Sequence, residues 1–327
     1  MIPVNRNIKI TLAVIISIVI VGGGYGIYHQ TAGHGKGQII NISTGYNLSA
    51  PLNRIVSLDP AATATIYTIG AFKTLVGGNS YDEFPPNETL PNVTDYPSMD
   101  ISQILNLSPQ AVISFTAYNQ TQVEELLNAG IDYIFLSSGS GTNLSVVERQ
   151  DTLLGQITGQ EKNATLLNNW INESISNLSY QSKEYMDQKY NGKEPVGFYY
   201  LSSSGGIWTT GNSTFQNSYF KYAHIKNLAA PFFSGFNTIS SGEVANASPQ
   251  VVFINYYVNS TAMAHPPFSG SPAYKNHQYY TVPSVGIFDE PNYRDIYAIQ
   301  WMIEKFYGEK PSIPKLPFDL QYNPNTM

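Results

Sequence analysis

The feature that most constrains this chain is a segment that occurs twice. Residues 101–114 read ISQILNLSPQAVIS, and residues 240–255 read SSGEVANASPQVVFIN. Superimposing the two Pro residues brings these positions together: Ile104 with Val244, Asn106 with Asn246, Ser108 with Ser248, Pro109 with Pro249, Gln110 with Gln250 and Val112 with Val252. Because Pro disfavours helical backbone at the preceding residue, each copy predicts a short helix that stops there. The apolar run that follows predicts a strand buried in a parallel sheet.

Two copies of one helix-to-strand unit predict two similar α/β lobes. Strand and helix signals alternate in both halves of the chain, so the sheets are expected to be mostly parallel. Between the halves, apolar residues recur at helical spacing and predict one long joining helix. The predicted divisions are an N-terminal lobe at 53–160, the joining helix at 161–192, a C-terminal lobe at 193–310 and an extended tail at 311–327.

The N-terminus carries an apolar run over residues 10–28. About 19 apolar residues can cross a bilayer as a helix. Arg6 and Lys9 precede the run and no cation follows directly, so the positive-inside bias puts the N-terminus in the cytoplasm and the lobes outside the cell. This predicts a single-pass membrane protein, with an anchor at residues 1–30 and a Gly- and Ser-rich tether at 31–52. A cleaved signal peptide is the alternative, although no Ala-x-Ala-like site follows the run.

The composition limits the classes of function. Only 12% of the 327 residues are charged, and the net charge is −6 without a basic cluster, which argues against nucleic-acid binding. The chain has no Cys, which excludes disulfides and thiolate metal sites. Asn-x-Ser/Thr triplets are frequent and would accept glycans in an exported protein. A surface this poor in charge also suits an acidic exterior, where ion pairs weaken.

Three segments resemble a known family. They read RIVSLDPAATATIYTIG from position 54, VGGNSYDEFPPNETLPNVTDYPSMDISQILNLSPQAVI from position 76, and GIWTTGNSTFQNSYFKYAHIKNLA from position 206. They resemble the metal-chelate substrate-binding proteins of ABC importers, which carry ferric siderophores, haem and cobalamin. The resemblance covers about residues 53–308, and its first-lobe part is the more specific. It implies two α/β lobes joined by one rigid helix, with the ligand between them.

Within that family the chain is most similar to the cobalamin binders. Their aromatic Pro-Pro loop resembles SYDEFPP at positions 80–86, and DEPNYRD at 289–295 resembles a second-lobe segment. A corrin or haem ring is wide, flat and mostly apolar, so aromatic faces from both lobes would clamp it. The ligand-binding residues that the resemblance implies are Tyr81, Tyr96, Trp208, Phe236, Tyr293 and Arg294. A corrinoid is favoured; the alternatives are haem or a ferric siderophore, which is often anionic and would use the guanidinium.

The resemblance also implies partners. An ABC permease and its ATPase are expected, and the binding protein is expected to be a monomer. The family usually carries a docking Glu on each lobe, but the first-lobe position here is Ser102, with Gln103 beside it. Glu243 lies near the second-lobe position and is the predicted docking residue. The alternative from another class of protein is a surface glycoprotein or sensor that kept the fold and lost import.

Other chemistry finds little support in the sequence. The five His residues show no metal-ligand spacing, so no bound metal or cofactor is expected besides the transported chelate. Ser138 and Ser140 lie in a Gly-rich turn rather than in a G-x-S-x-G nucleophile elbow. Asp289 and Glu290 form an acidic pair without an acid/base partner in the sequence. The chain is therefore not expected to be an enzyme.

Overall fold

The computed structural model describes residues 37–41, 51–86, 88–95, 98–136, 143–321 and 323. Its strands are β1 (Ile39–Asn41), β2 (Ile55–Ser57), β3 (Leu75–Gly77), β4 (Thr94–Asp95), β5 (Ser98–Met99), β6 (Ala111–Ser114), β7 (Asp132–Phe135), β8 (Val196–Tyr200), β9 (Ile207–Thr210), β10 (Lys226–Asn227), β11 (Phe236–Ile239), β12 (Val251–Ile254) and β13 (Tyr279–Thr281). Its α-helices are α1 (Pro60–Thr68), α2 (Ile101–Leu107), α3 (Gln120–Asn128), α4 (Leu144–Thr158), α5 (Glu161–Tyr190), α6 (Phe215–Tyr222), α7 (Ser241–Ala247), α8 (Pro272–Lys275), α9 (Val285–Phe288) and α10 (Asp295–Tyr307).

Two parallel sheets organise these elements. The first has the strand order β1-β7-β6-β2-β3, and every neighbouring pair is parallel. The second has the order β10-β8-β12-β13 and is also parallel. The pairs β4-β5 and β9-β11 are small antiparallel additions. The expected α/β class with mostly parallel sheets is confirmed. We refer to the first sheet and its helices as the first lobe, and to the second sheet and its helices as the second lobe.

The edge of the first sheet differs from the sequence expectation. Residues 39–41 were expected in a tether, but they form strand β1 and pair with β7, with Ile40 opposite Ile134. Ile40 is buried, with 2% of its surface exposed. Two adjacent Ile residues fit a half-buried pleated strand, and the backbone groups of β7 supply the partner. The first lobe therefore begins before residue 53.

Both copies of the repeated segment form the same local structure. The side chain of Asp100 caps α2 and that of Ser240 caps α7, each by accepting the backbone N–H three residues later. The two helices then end at Ser108 and Ser248, whose backbones are left-handed with φ of 47° and 52°. The Pro that follows cannot extend either helix. Each copy then continues as a strand that is buried along its whole length.

The repeated Gln has a structural role in each sheet. Gln110 Oε1 accepts the backbone N–H of Asn53 at 2.8 Å, just before β2. In the same way, Gln250 Oε1 accepts the N–H of Val196 at 3.0 Å, at the start of β8. Each side chain therefore fixes the start of the strand beside its own strand. This explains why Gln follows Pro in both copies.

Helix α5 connects the two lobes along the chain. Its 30 residues, at 1.5 Å per residue, give a length of about 45 Å. The side chains that it buries recur every three or four positions: Ala164, Leu167, Trp170, Ile171, Ser174, Leu178, Ser182 and Met186. This stripe packs against α4 and α10. One buried apolar cluster contains residues of both sheets, of α5 and of α10, and Ile313, Leu316 and Phe318 of the tail pack against it.

The predicted single-pass localisation, with the N-terminus in the cytoplasm and the lobes outside the cell, is corrected. In the part of the chain that the structure describes, no helix combines the length and the apolar character needed to cross a membrane. Helix α5 has the length, but Glu161, Glu173 and Lys183 are among the charged residues along it. The predicted anchor at residues 1–30 lies outside the described residues.

Candidate functional site

A cavity of about 280 Å³ opens between the two lobes. One wall is the loop that follows β3, and the other is formed by the segments after β12 and β13 and by the residue before α10. The described residues that line it are Glu83, Phe84, Pro86, Tyr256, Tyr257, Pro283, Ser284, Val285 and Arg294. The loop after β3 and the segments after β12 and β13 each follow the carboxyl end of a parallel strand. This is where α/β proteins bind small molecules.

Phe84 links the two walls of this cavity. Its side chain is buried, and its ring lies edge-on to Tyr67 of α1, with the ring centroids 5.4 Å apart. The guanidinium carbon of Arg294, from the second lobe, lies 4.7 Å from the centroid of the same ring. A cation over an aromatic ring is attracted by the ring quadrupole, and the attraction strengthens when water is excluded. Phe84 therefore contributes to the contact between the lobes as well as to the first-lobe wall.

The turn before Phe84 is held by its own polar side chains. Asp82 Oδ2 accepts the backbone N–H of Asn79 at 3.0 Å, and Asn79 Oδ1 accepts the N–H of Tyr81 at 2.7 Å. Burial raises the pKa of the Asp82 carboxyl to about 7. These contacts fix the loop from within, so Glu83 and Phe84 reach the cavity on a defined backbone.

Three ionisable groups from the two lobes converge at Gly286. A β-carbon at this residue would lie 3.3 Å from Arg294 Nη1, 3.3 Å from Glu83 Oε2 and 3.6 Å from Glu290 Oε2. Arg294 itself is buried, with 3% of its surface exposed. Burial raises the pKa of the Glu290 carboxyl well above its ordinary value, against the lowering effect of Arg294. The absence of a side chain at Gly286 leaves room for these three groups.

A network of hydrogen bonds fixes the second-lobe wall of the cavity. Tyr257 lines the cavity, and its backbone N–H donates to Asn255 Oδ1 at 3.1 Å. Asn255 Nδ2 donates to Asp289 Oδ2 at 2.7 Å, and the hydroxyl of Tyr199 donates to Asp289 Oδ1 at 3.4 Å. Burial, followed by the nearby carboxylates, raises the pKa of Tyr257 to about 12. Tyr257 therefore faces the cavity as a neutral hydroxyl.

Of the residues that the sequence singled out, Arg294 lines the cavity and its neighbour Tyr293 does not. Tyr293 is fully buried, and its hydroxyl oxygen accepts a 2.7 Å hydrogen bond from Thr68 Oγ1 of the first lobe. Its ring also packs at 6.3 Å against Trp170 of the joining helix. The structure thus places Tyr293 in the contact between the lobes, behind the cavity.

Trp208 and Phe236 lie on the paired strands β9 and β11 and are half-buried. Trp208 Nε1 donates to the backbone carbonyl of Ser204 at 2.8 Å, and the ring of Phe236 packs 6.2 Å from that of Phe215. Neither residue is among the described residues that line the cavity. Their roles as ligand contacts stay predictions.

Of the two first-lobe tyrosines that the sequence singled out, Tyr81 lies among the described residues and Tyr96 does not. Tyr81 is half-buried in the turn before Phe84, two residues from the cavity lining. Tyr96 lies outside the described residues. A ligand contact by either tyrosine stays a prediction.

Glu243 has a clear local role. Its Oε2 accepts the backbone N–H of Ser240 at 2.9 Å, while Ser240 Oγ accepts the N–H of Glu243 at 3.2 Å. This reciprocal pair is a capping box, which stabilises the start of α7. Gln103 occupies the equivalent position of α2 and donates from Nε2 to Asp100 Oδ2 at 2.7 Å. Glu243 is half-buried and keeps part of its side chain accessible to a partner, and its docking role stays a prediction.

Within the described residues, no group of three or more His, Asp or Glu side chains is arranged to hold a metal ion. The carboxyl groups near the cavity are spread over both walls, and Arg294 lies among them. The lining of the cavity offers aromatic rings, hydroxyl groups and a carboxyl group to a molecule that enters from solvent. Such a surface can bind a preformed chelate by contacts to its periphery.

Sequence reasoning missed most of the cavity lining. The loop SYDEFPP was recognised, but Tyr81 was chosen from it, whereas Glu83, Phe84 and Pro86 face the cavity. The adjacent tyrosines Tyr256 and Tyr257 were not singled out. Their position directly after the buried strand β12 is a signal that could have found them, because ligand loops follow such strand ends.

Comparison with known proteins extends these observations. The family model described as "Periplasmic binding protein" matches residues 55–285. A vitamin B12-binding protein of Vibrio campbellii is 23% identical over 267 residues, which cover 79% of this chain and 90% of that protein. An uncharacterized ABC transporter substrate-binding lipoprotein of Bacillus subtilis is 23% identical over 233 residues, which cover 70% of this chain and 72% of that protein.

A solved structure has the same fold. The periplasmic heme binding protein of Pseudomonas aeruginosa superimposes with a TM-score of 0.70 at 18% identity, covering 81% of this chain and 96% of that one. The family resemblance inferred from the sequence motifs is confirmed by the family match. The names of two of these relatives describe a lipoprotein and a periplasmic protein.

Proposed function

This chain belongs to the periplasmic binding protein family, and from that premise we propose that it is the substrate-binding component of an ABC importer. It captures a metal chelate in the cavity between its lobes and delivers it to a permease. The two relatives named for vitamin B12 and heme bind planar metal chelates, and the third is named as an ABC transporter substrate-binding protein. The chain acts by binding and not by catalysis.

The observation that carries this proposal is a cavity whose walls come from different lobes and carry aromatic side chains. Tyr256 and Tyr257 stand on the second-lobe wall, and their rings lie 5.3 Å apart at 88°. Tyr256 lines the cavity and has 53% of its surface exposed, so its ring is accessible to a molecule that enters. A volume of about 280 Å³ is at the lower end of ligand sites, so a chelate would fill it and extend across its open side.

A corrinoid is the favoured ligand, with haem and ferric siderophores as alternatives. The lobes are held by one long helix, so closure around the ligand is small rather than a wide hinge motion. Tyr81, Trp208 and Phe236 are proposed to contact the parts of the ligand that extend beyond the cavity. Each stands on a loop or a short strand pair and keeps part of its ring accessible.

Direct titration tests this function. The purified chain is titrated with cyanocobalamin, haemin and ferric siderophores, and binding is followed by absorbance, by tyrosine and tryptophan fluorescence and by calorimetry. We expect micromolar or tighter binding of at least one chelate, and weakening by about tenfold in Tyr257→Ala, since a buried interface aromatic contributes about 1–3 kcal/mol. Tyr274→Ala, a partly buried tyrosine that does not line the cavity, is the matched control. If no chelate binds, the importer function is refuted.

Delivery requires an ABC permease and ATPase as partners. Glu243 is proposed as a docking group because its side chain is partly accessible at the start of α7 and belongs to a capping box. Glu243→Gln keeps an acceptor for Ser240 and removes the charge. It is expected to leave chelate binding unchanged and to lower stimulation of the ATPase in reconstituted importer. Equal stimulation by both forms would remove Glu243 from the docking surface.

A further inference from the structure

Asn-x-Ser/Thr triplets occur more often in this chain than chance explains. The chain has 29 Asn, and 13 of them have Ser or Thr two positions later with no Pro between. Ser and Thr account for 53 of the 327 residues, about one in six, so about five such triplets are expected by chance. The triplet is the acceptor motif for an N-linked saccharide, which is bulky and needs a surface position. The places of the triplets in the fold decide which of them can carry one.

Three of the triplets present both acceptor residues to solvent in one turn. They begin at Asn119, Asn143 and Asn259, and in each the Asn and the Ser or Thr two positions later are exposed. The Asn Oδ1 accepts the backbone N–H of that Ser or Thr, at 2.8, 3.0 and 2.9 Å respectively. Within the part of the chain that the structure describes, Nδ2 of these three residues has no acceptor. Each Nδ2 is therefore available for a covalent bond.

The triplets on helix α5 are held differently. They begin at Asn163, Asn172 and Asn177. Residues two positions apart on a helix do not share a face, so the amide and the hydroxyl of each triplet point in different directions. Asn163 Nδ2 also donates to the carbonyl of Ile69 at 2.8 Å and to Gln160 Oε1 at 3.0 Å. An enzyme that must contact both acceptor residues at once cannot do so here while the helix is intact.

The two triplets in the repeated segment cannot form the turn either. They begin at Asn106 and Asn246, near the ends of α2 and α7. The backbone N–H groups of Ser108 and Ser248 donate to helix carbonyl groups at 3.0 and 3.1 Å, so the Asn Oδ1 cannot accept them. The Pro that follows each triplet fixes this helix end.

In two further triplets the Thr is inaccessible. Asn92 and Asn212 are exposed, but Thr94 and Thr214 are buried, with 6% and 1% of their surfaces exposed. Their hydroxyl groups donate to backbone carbonyl groups at 2.8 and 3.0 Å. The triplets at 41, 47 and 87 lie partly or wholly outside the described residues. The triplets at Asn119, Asn143 and Asn259 are thus the ones that combine exposure, a free Nδ2 and an accessible hydroxyl among the described residues.

We propose that Asn119, Asn143 and Asn259 carry N-linked saccharides and that the triplets on α5 do not. In the transfer, Nδ2 forms a bond to the anomeric carbon of a glycosyl diphosphate donor. The bond from that carbon to the diphosphate oxygen breaks, and the proton lost from Nδ2 ends on the departing diphosphate. Oδ1 keeps its hydrogen bond to the backbone, so the turn is preserved.

The proposal goes beyond the importer function. None of the three Asn is among the described residues that line the cavity, so a saccharide there is compatible with ligand binding. Acceptor triplets are used in secreted proteins, and periplasmic binding proteins work outside the cytoplasm. Only 12% of the residues are charged, and uncharged saccharides would hydrate such a surface through their hydroxyl groups.

Peptide mass spectrometry tests the assignment. The full chain is isolated from the organism that produces it, and the same chain made in a host without a glycosyl transferase is the unmodified reference. We expect a saccharide mass on the peptides that contain Asn119, Asn143 and Asn259 in most molecules, and none on the peptides that contain Asn163 and Asn172.

Variants at one site, made in the native organism, test the role of the motif. Asn259→Asp keeps an oxygen that can accept the N–H of Thr261 but lacks Nδ2. Thr261→Val keeps a branched side chain and lacks the hydroxyl, whereas Thr261→Ser keeps the hydroxyl and is the matched control. We expect the first two variants to lose the saccharide at this site and Thr261→Ser to keep it, with the thermal midpoints of the unmodified forms unchanged.

Each outcome decides the assignment. If the three peptides are unmodified in the native chain, the assignment is refuted, whatever the chelate titration gives. Modification of Asn163 or Asn172 to the same extent as Asn259 would refute the selection by exposure and turn. A saccharide that persists at Asn259 in Thr261→Val would show that the triplet is not the acceptor motif. Failure to bind any chelate would refute the importer function and leave the saccharide assignment standing.

Discussion

Thr68 and Tyr293 form a hydrogen bond of 2.7 Å between residues that are 225 positions apart. Thr68 ends the first helix of the first lobe, and Tyr293 precedes the last helix of the second. Both side chains are almost fully buried, with 1% and 0% of their surfaces exposed. Burial of a hydroxyl pair in this position fixes the distance between the lobes behind the cavity.

Replacing Tyr293 by Phe is therefore expected to lower the free energy of unfolding by about 1–2 kcal/mol, because a buried hydroxyl of Thr68 loses its acceptor. Urea denaturation of Tyr293→Phe measures the loss. Thr68→Ser is the matched control, because the Ser hydroxyl can still donate the hydrogen bond to Tyr293. If the Phe variant keeps its stability but binds chelates more weakly, Tyr293 is a ligand contact, as the sequence resemblance implied, and the structural role is refuted.

Phe84 gives a second prediction, about ligand binding. Phe84→Leu keeps an apolar side chain but removes the ring over which Arg294 lies. We expect chelate affinity to fall by about three- to tenfold, since a desolvated cation–π contact contributes about 1–2 kcal/mol and positions the guanidinium. Phe72→Leu is the matched control, because its ring also lies edge-on to Tyr67, at 5.8 Å, yet it does not line the cavity. Equal losses in both variants would mean that the effect comes from the packing of Tyr67.

The buried carboxyl groups predict how stability depends on pH. Burial raises the pKa of Asp59 and of Asp151 to about 7, from about 3.9 in an unfolded chain. Between about pH 4 and pH 7 the folded protein therefore binds more protons than the unfolded chain does. The free energy of unfolding is thus highest at the acidic end and falls as the pH rises, by at most about 1.4 kcal/mol per group and unit of pH.

Urea midpoints between pH 4 and pH 8 measure this profile. Asp151→Asn cannot ionise and still offers an acceptor to Thr65 Oγ1, which lies 3.1 Å from the carboxylate oxygen. It is expected to flatten the profile and to stabilise the protein at pH 8. Asp187→Asn, an exposed surface substitution, should leave the profile unchanged. A protein that loses stability steadily from pH 7 down to pH 5 would contradict the prediction.

The tail provides a fourth prediction. Ser312 exchanges two hydrogen bonds with the side chain of Gln181 on α5, at 2.8 and 2.9 Å, and the carbonyl of Pro314 accepts Trp170 Nε1 at 2.9 Å. Gln181→Ala is expected to cost about 1 kcal/mol of stability. Removing residues 311–327 should cost more and should shift tryptophan emission to longer wavelength, because the tail carries apolar side chains that cover the helix. An unchanged thermal midpoint after truncation would show that the tail only rests on the surface.

Local chemistry made much of this fold predictable. The Pro residues of the repeat marked the ends of two helices, and the apolar runs after them marked two central strands, because both signals act within a few residues. Strand β1 escaped prediction because three residues of β-prone sequence form a strand only if a partner such as β7 offers its edge. Tertiary pairing of this kind leaves no local signal.

The site was less predictable than the fold for a related reason. Within SYDEFPP the sequence does not show which side chains face the other lobe, and the choice fell on Tyr81 rather than on Phe84. Arg294 was found because the segment DEPNYRD resembles a second-lobe segment of the family and a guanidinium could bind an anionic chelate. Its neighbour Tyr293 carries the same local signal, yet the fold turns it toward Thr68. Only the three-dimensional arrangement separates the two.

The shared core of α5, α10 and the tail has a consequence for how a captured molecule leaves. Two lobes that are joined rigidly along one side gain little conformational entropy by opening. Thermal motion alone is therefore expected to release the ligand slowly. Tight binding and fast release of the ligand then cannot both be properties of this chain alone. Fast release then requires a partner that separates the two lobes, and a transporter that hydrolyses ATP can supply the free energy for it.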